Sequence, residues 1–378
     1  NTLLVVAHFG IPVAAARIAA RAGSDRRYPA HLRAAALAGA GPCLVASAAM
    51  AGTTAWVTSS LSASLIAAAG MATMAAGVVL GGLLRGVGRI WSSALIQPVN
   101  ALAQLVVLGA AAGLGAQVGV GWVLLAFYAG NAAALAVAGA LYLAVPRETA
   151  ESRDVDAHPA SILRFSAWLT LATIGVYGLT LAPRLVLAQA SYRDVAIFDL
   201  ALLAYTLPQR LTASFVTALV PVAAREQLQS ARVPVASRVD AFVVTALVGG
   251  ASGILWVTGL LGSLLHAVGL GAYTASAPLL IIVLLAAPAE LFFAVNSGLL
   301  QAFGLSKRLA AGAWGVLAVA GLAMPFAARI DSAALAAVVV AGYWALLLVS
   351  RALLGNLIEE KPLWPVVLRL PRPKQAVA

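Results

Sequence analysis

The chain has 378 residues, 62% of them hydrophobic and only 10% charged, with a net charge of +11. A soluble domain of this length carries about 25% charged residues, so the composition excludes one and describes a polytopic membrane protein. The positive charge does not point to nucleic acid, because the basic residues sit in short links between apolar runs, and a lone cysteine, Cys43, excludes an internal disulfide.

The sequence opens at Asn1 inside an apolar run, without signal-peptide features, and is expected to lack one helix and part of a second. Eleven apolar segments follow, at 3–20, 32–53, 61–84, 91–115, 120–145, 161–183, 194–223, 239–263, 275–301, 309–328 and 332–354. They are long enough to span as helices and lack the alternation of outer-membrane barrels. The expected fold is all-α: a polytopic helical membrane protein with about 11 spans present and twelve in a complete chain.

Orientation follows from the links. Those at 21–33, 85–90, 146–164, 224–238, 303–308 and the tail from Arg351, counted with Arg17, hold 20 of the 24 Lys and Arg. The alternate links carry only Arg184, Arg193 and Arg329, which leaves Arg210 embedded. By the positive-inside rule the charged links and the C-terminus are expected on the cytoplasmic side. The expected units are an N-terminal bundle over 1–145, a polar cytoplasmic linker over 146–160, a C-terminal bundle over 161–355 and a basic tail over 356–378. The linker contains Asp154-Val155-Asp156, a D-x-D pattern that holds metal and nucleotide-sugar in many glycosyltransferases. Fifteen residues cannot house a nucleotide-binding domain, so the plain reading is a solvated linker.

The two halves echo each other. Gly82-Leu83-Leu84, closed by Gly88, parallels Gly298-Leu299-Leu300, closed by Gly304, at a spacing of 216 residues. Ile11 to Arg17 (IPVAAAR) parallels Val220 to Arg225 (VPVAAR) in the same order. Two six-helix bundles related as a parallel repeat are the plan of many transporters.

Polar residues then recur on single helix faces. Asp199, Thr206, Arg210, Ser214 and Thr217 fall within an arc of about 80° at 100° per residue. Pro208 in that segment is expected to kink it, as are Pro278 and Pro288 farther on. Ser166, Thr170, Thr173, Tyr177, Thr180 and Arg184 form a second stripe, Ser276, Glu290, Ser297 and Gln301 a third, and Ser93, Gln97, Asn100 and Gln104 a fourth. Lipid offers these groups no partners, so the faces point inward. Two readings are open: the lining of a hydrophilic cavity between bundles, or hydrogen-bonded joints between packed helices. In the cavity reading Arg210 attracts an anionic group, and Glu290 pairs with it or takes up a proton. Asp199 and Arg184 also suit the outer membrane interface.

No nucleophile–base pair, P-loop, nucleotide fingerprint or metal-ligand spacing is present, so a transporter is expected rather than an enzyme, and no cofactor. Without an ATPase, transport draws on a gradient, with a proton or sodium as coupling ion, or on the fate of the substrate.

Ala182-Pro183-Arg184-Leu185-Val186-Leu187 followed by Val195-Ala196-Ile197-Phe198-Asp199-Leu200-Ala201 resembles the seventh-to-eighth helix junction of Wzx-type polysaccharide exporters. These flippases belong to the multidrug/oligosaccharidyl-lipid/polysaccharide (MOP) superfamily. Ala218-Leu219-Val220-Pro221, the stretch from Phe9 to Arg17, and the links after Gly82 and Gly298 resemble the same family. Its usual D-R pair is altered here: Ala182-Pro183 stands where the acid is found, and Asp199 replaces a tyrosine. The resemblance implies two bundles rocking about a central cavity to carry a polyprenyl-linked oligosaccharide outward across a bacterial inner (cytoplasmic) membrane for cell-surface polysaccharide or lipopolysaccharide synthesis. It implies as partners that lipid-linked glycan, membrane lipids, and a glycan polymerase or glycosyltransferases of the same pathway. The alternative within the superfamily is a cation-coupled drug or small-molecule antiporter.

Overall fold

A chain this apolar cannot leave backbone amides unpaired in hydrocarbon, and helices satisfy them within each segment. The computed structural model describes residues 10–22, 29–117, 119–145, 159–189, 191–202, 259–267, 269 and 271–355, and no strand occurs among them. Its helices are α1 (Ile11–Ala22), α2 (Pro29–Thr58), α3 (Leu61–Gly86), α4 (Ile90–Ala94), α5 (Ile96–Gly113), α6 (Val120–Leu143) and α7 (Pro159–Ala188). There follow α8, which starts at Tyr192 and is described to 202, then α9 (Leu260–Ala267), α10 (Ser276–Leu284), α11 (Ala287–Ala302), α12 (Ser306–Ile330) and α13 (Ser332–Gly355). Most of the expected spans at 194–223 and 239–263, residues 146–158 of the expected linker 146–160 and the tail from 356 lie outside the described residues, and 159–160 already belong to α7.

Among the described residues seven helices are long and apolar enough to cross a membrane, α4 and α5 together counting as one of them, and the bent pair α10–α11 makes an eighth span if taken as one. The outer faces agree with a lipid setting: Val319 and Leu322 are 72% and 73% exposed, far more apolar surface than water tolerates. The chain is a multi-pass membrane protein.

Local chemistry explains the ends and breaks. Proline opens α2 and α7, where a missing amide costs nothing. The Ser60 hydroxyl caps α3 by accepting from the Ala63 amide at 3.3 Å, and an Asp331 carboxylate oxygen accepts from the Ala334 amide at 2.6 Å to start α13. The single span expected at 91–115 is present as α4 and α5 together, with a one-residue turn at Leu95, where Pro98 leaves the Ala94 carbonyl without its amide. The expected kink at Pro288 is present. It lies at the start of α11, and α10 and α11 meet at 41°. Trp344 on α13 donates its indole N–H to the Leu285 carbonyl at this break, 3.2 Å away.

The helices group by packing. In the first half α3 packs on α1, α2 and α6, and α6 on α5. In the second, α12 packs along α7 and α13, and α13 covers α10 and α11 around fully buried Tyr343, Phe198, Leu300 and Met324. The two groups meet where α1 and α2 cross α7. Small residues set the close approaches: a Cβ on Gly82 would fall on the Pro12 carbonyl, and one on Gly86 would lie 2.6 Å from the Ala16 carbonyl oxygen.

The repeat is visible in the backbone. At the end of α3 the Gly88 amide donates to the Arg85 carbonyl at 3.0 Å and the Arg89 amide to that of Leu84 at 2.9 Å. At the end of α11 Gly304 donates to Gln301 at 3.0 Å and Leu305 to Leu300 at 2.8 Å. Both glycines occupy the left-handed region, with φ of +91° and +80°, as this helix-terminating motif requires.

Candidate functional site

The stripe on α7 divides in three dimensions. Ser166, Thr170 and Thr180 are buried, Thr173 is half-buried and Tyr177 is 50% exposed. Thr173 donates to the Leu169 carbonyl at 2.9 Å and Thr180 to that of Tyr177 at 3.0 Å, so both hydroxyls are satisfied by their own helix. The hydroxyls of Ser166 and Thr170 are buried without a hydrogen-bond partner. They lie where the halves touch: a Cβ on Gly10 would stand 3.0 Å from the Ser166 carbonyl oxygen.

Arg184 lies seven residues, two turns, beyond Tyr177 and shares its face. Its Nε donates to an Asp199 carboxylate oxygen on α8 at 2.5 Å, and both side chains are partly exposed. Arg184 is therefore paired across space by an acid of the next helix.

On α4 and α5 the polar face expected from sequence does not stay together. Ser93 is buried, and Gln97, one turn on, is exposed. Asn100 and Gln104 form a joint with α6. Asn100 Nδ2 donates to Asn131 Oδ1 at 2.8 Å, Gln104 Nε2 to Asn100 Oδ1 at 2.5 Å, and Asn131 Nδ2 to the Phe127 carbonyl at 2.8 Å. Gly130 makes this approach possible, since a Cβ there would lie 2.6 Å from Gln104 Cγ. Of the two readings for Asn100 and Gln104, this geometry is that of a joint. Asn131 was not among the expected polar positions, although a solitary amide in an otherwise apolar helix was a signal.

On α11 Glu290 is half-buried in the first turn, just past the bend, where the helix dipole favours a carboxylate. Ser297 and Gln301 are buried, with Gln301 Nε2 donating to Ser297 Oγ at 2.9 Å and Gln301 Oε1 left without a partner. One turn from them, Arg17 of α1 reaches the end of α11. Its Nε donates to the Ala302 carbonyl at 3.0 Å, and its guanidinium carbon stands 4.9 Å from the centroid of the Phe165 ring on α7. Counted in the sequence only as part of the positive-inside pattern, Arg17 is a contact between the halves. The spacing to its partner, 285 residues, hid that role.

Arg210, Thr206, Ser214 and Thr217 lie outside the described residues, as do Pro208, Asp154 and Asp156. Among the described residues no group of three or more His, Cys, Asp or Glu side chains could hold a metal ion.

No family model matches the chain, and no curated protein matches it significantly. Solved structures do. The chain is similar to a MATE transporter in its straight conformation, at 14% identity and a TM-score of 0.70, over 94% of this chain and 86% of that one. It is similar to a multidrug resistance MATE family transporter of the MOP superfamily in its outward-facing conformation, at 14% identity and a TM-score of 0.69, over 95% and 86%. A MOP superfamily transporter from Pyrococcus furiosus, described as having a binding pocket of reverse polarity that suggests a different function, matches at 15% identity and a TM-score of 0.70, over 95% and 86%. The shared property at such identities is the fold. It is the fold of MOP superfamily transporters over nearly the whole chain, and it is common to structures with different assigned roles.

Proposed function

We propose that the protein is an exporter that works by alternating access between its two helical halves, and that its substrate is a drug-like small molecule exchanged for a cation. The observation that carries the transport reading is the seam between the halves. Gly10, Ala14, Ala34 and Ala38 of the first half lie against Ile162, Ser166 and Leu169 of the second, near the helix ends that carry the basic links. The buried cluster there holds only four residues, so two rigid bundles can part without unpacking either core, which rocking requires. Glu290, beside the α10–α11 bend, is the acid that takes up the coupling ion, and Tyr177 and Arg184 face the substrate path.

The small-molecule reading is favoured by the solved structures, among them a multidrug resistance transporter. Export of a polyprenyl-linked oligosaccharide is the second reading, and it rests on the junction from Ala182 to Ala201. Full-length protein in proteoliposomes decides between them. Under an imposed proton or sodium gradient, movement of a fluorescent organic cation is expected, and Glu290→Gln should uncouple it from the gradient. Movement of a labelled polyprenyl-linked glycan instead would establish the second reading, and movement of neither would overturn export.

A further inference from the structure

We infer that Arg17 is a conformational latch: it holds the basic end of the molecule shut by tying α1 of the first half to α11 and α7 of the second. Three observations converge on it. The last carbonyls of a helix have no partner within the helix and sit at the negative end of its dipole, so a cation is favoured there. Arg17 fills that role for α11 from the other half of the chain, donating to the Ala302 carbonyl at 3.0 Å. The flat guanidinium also rests over Phe165 of α7, at 4.9 Å from the ring centroid, a cation–π contact that lysine makes less well. Gly304 leaves the space. A Cβ at that position, in the left-handed region at φ +80°, would lie 2.7 Å from Arg17 Nη2.

The contacts around the latch make its position matter. Ala14, Ala34, Ala38 and Ile162 form a small buried cluster across the seam, with Ile18, Leu163 and Phe165 packed on it. The cluster is small, and a charge-assisted hydrogen bond placed beside it adds to what keeps that end closed. The donor is a long, jointed side chain bound to a backbone carbonyl. It can leave without disturbing either helix, as a latch must. Arg17 is thus a positioning residue that acts on the equilibrium between conformations rather than on the substrate. The inference deepens the alternating-access reading and rests on it for its purpose, not for its geometry.

The test is a distance measured across the basic end, in the full-length protein in lipid nanodiscs. Spin labels replace Arg33 on α2 and Arg308 on α12, both exposed and on opposite halves, in a Cys43→Ser background. Pulsed electron resonance should find one short distance with Arg17 present. In Arg17→Ala a longer distance should gain population, with the open-to-closed ratio rising about tenfold or more, the scale expected for losing a charged hydrogen bond. Arg17→Lys, which keeps the charge but not the planar stacking, should fall between the two. An unchanged distribution in Arg17→Ala overturns the latch. If that variant fails to fold, Arg17→Lys and Gly304→Ala carry the test, and unchanged distances in both overturn it equally. The readout needs no substrate. A protein that opens on losing Arg17 yet moves neither transport probe refutes the export reading and keeps the latch, whereas transport with unaltered distances in the variants refutes the latch alone.

Discussion

Gly82→Ala is the most exacting test of how the first half is packed. The added Cβ would fall on the carbonyl of Pro12, with the Pro12 Cα 2.9 Å away. Both are backbone atoms, which no change of rotamer can move. Either α1 shifts away from α3 or the variant bears overpacking, about 1–3 kcal/mol in well-packed interiors. Against that stands the helix-propensity gain of alanine over glycine, about 1 kcal/mol. The expected net effect is a loss of up to about 2 kcal/mol. Gly109, also helical but with no atom within 4 Å of a built Cβ, is the matched control. There the same substitution should stabilise by about 0.4–1 kcal/mol. Equilibrium unfolding in mixed micelles, followed by circular dichroism, measures both. The reasoning predicts opposite signs, and a Gly82→Ala protein as stable as Gly109→Ala would refute the packing described. Because α1 carries Arg17, a shifted α1 should also lengthen the distance across the basic end.

Two other substitutions probe the polar contacts. Asn131→Ala removes the acceptor of Asn100 Nδ2 and should cost about 1 kcal/mol, as buried amide bonds between membrane helices do. A double-mutant cycle with Asn100→Ala should show most of that cost as coupling, and independent effects would mean the joint contributes little. Arg184 and Asp199 are partly exposed, so the cycle of Arg184→Gln with Asp199→Asn should give a coupling below about 1 kcal/mol that shrinks with added salt. A larger, salt-insensitive coupling would show that the pair is shielded from water.

Much of the architecture was legible in a linear reading. Hydropathy marked most of the described spans, and Pro288 marked the bend at α10–α11, because the missing amide acts on the helix that contains it. The glycines ending two helices 216 residues apart announced the repeat, since a left-handed terminus demands glycine wherever it recurs. The site was less legible. Helical-wheel arithmetic placed Gln97, Asn100 and Gln104 on one face with Ser93, but Ser93 is buried and Gln97 exposed, and Asn100 bonds Asn131 of α6 while Gln104 bonds Asn100. A wheel says nothing of the neighbour.

By itself, then, the sequence determined that this is a multi-pass helical membrane protein, where most of the described helices start and stop, and which ends carry the basic links. Those properties follow from solvation and from backbone chemistry within one turn of the residue concerned. Only the tertiary structure decided which polar groups meet. Asp199 completes Arg184 from the next helix, Asn131 receives Asn100, and Arg17 crosses between the halves to the end of α11. Each pairing depends on how two helices are rotated and slid against each other. That register is set by small residues such as Gly82, Gly86 and Gly130, which admit close approach but carry in one dimension no mark of what approaches them.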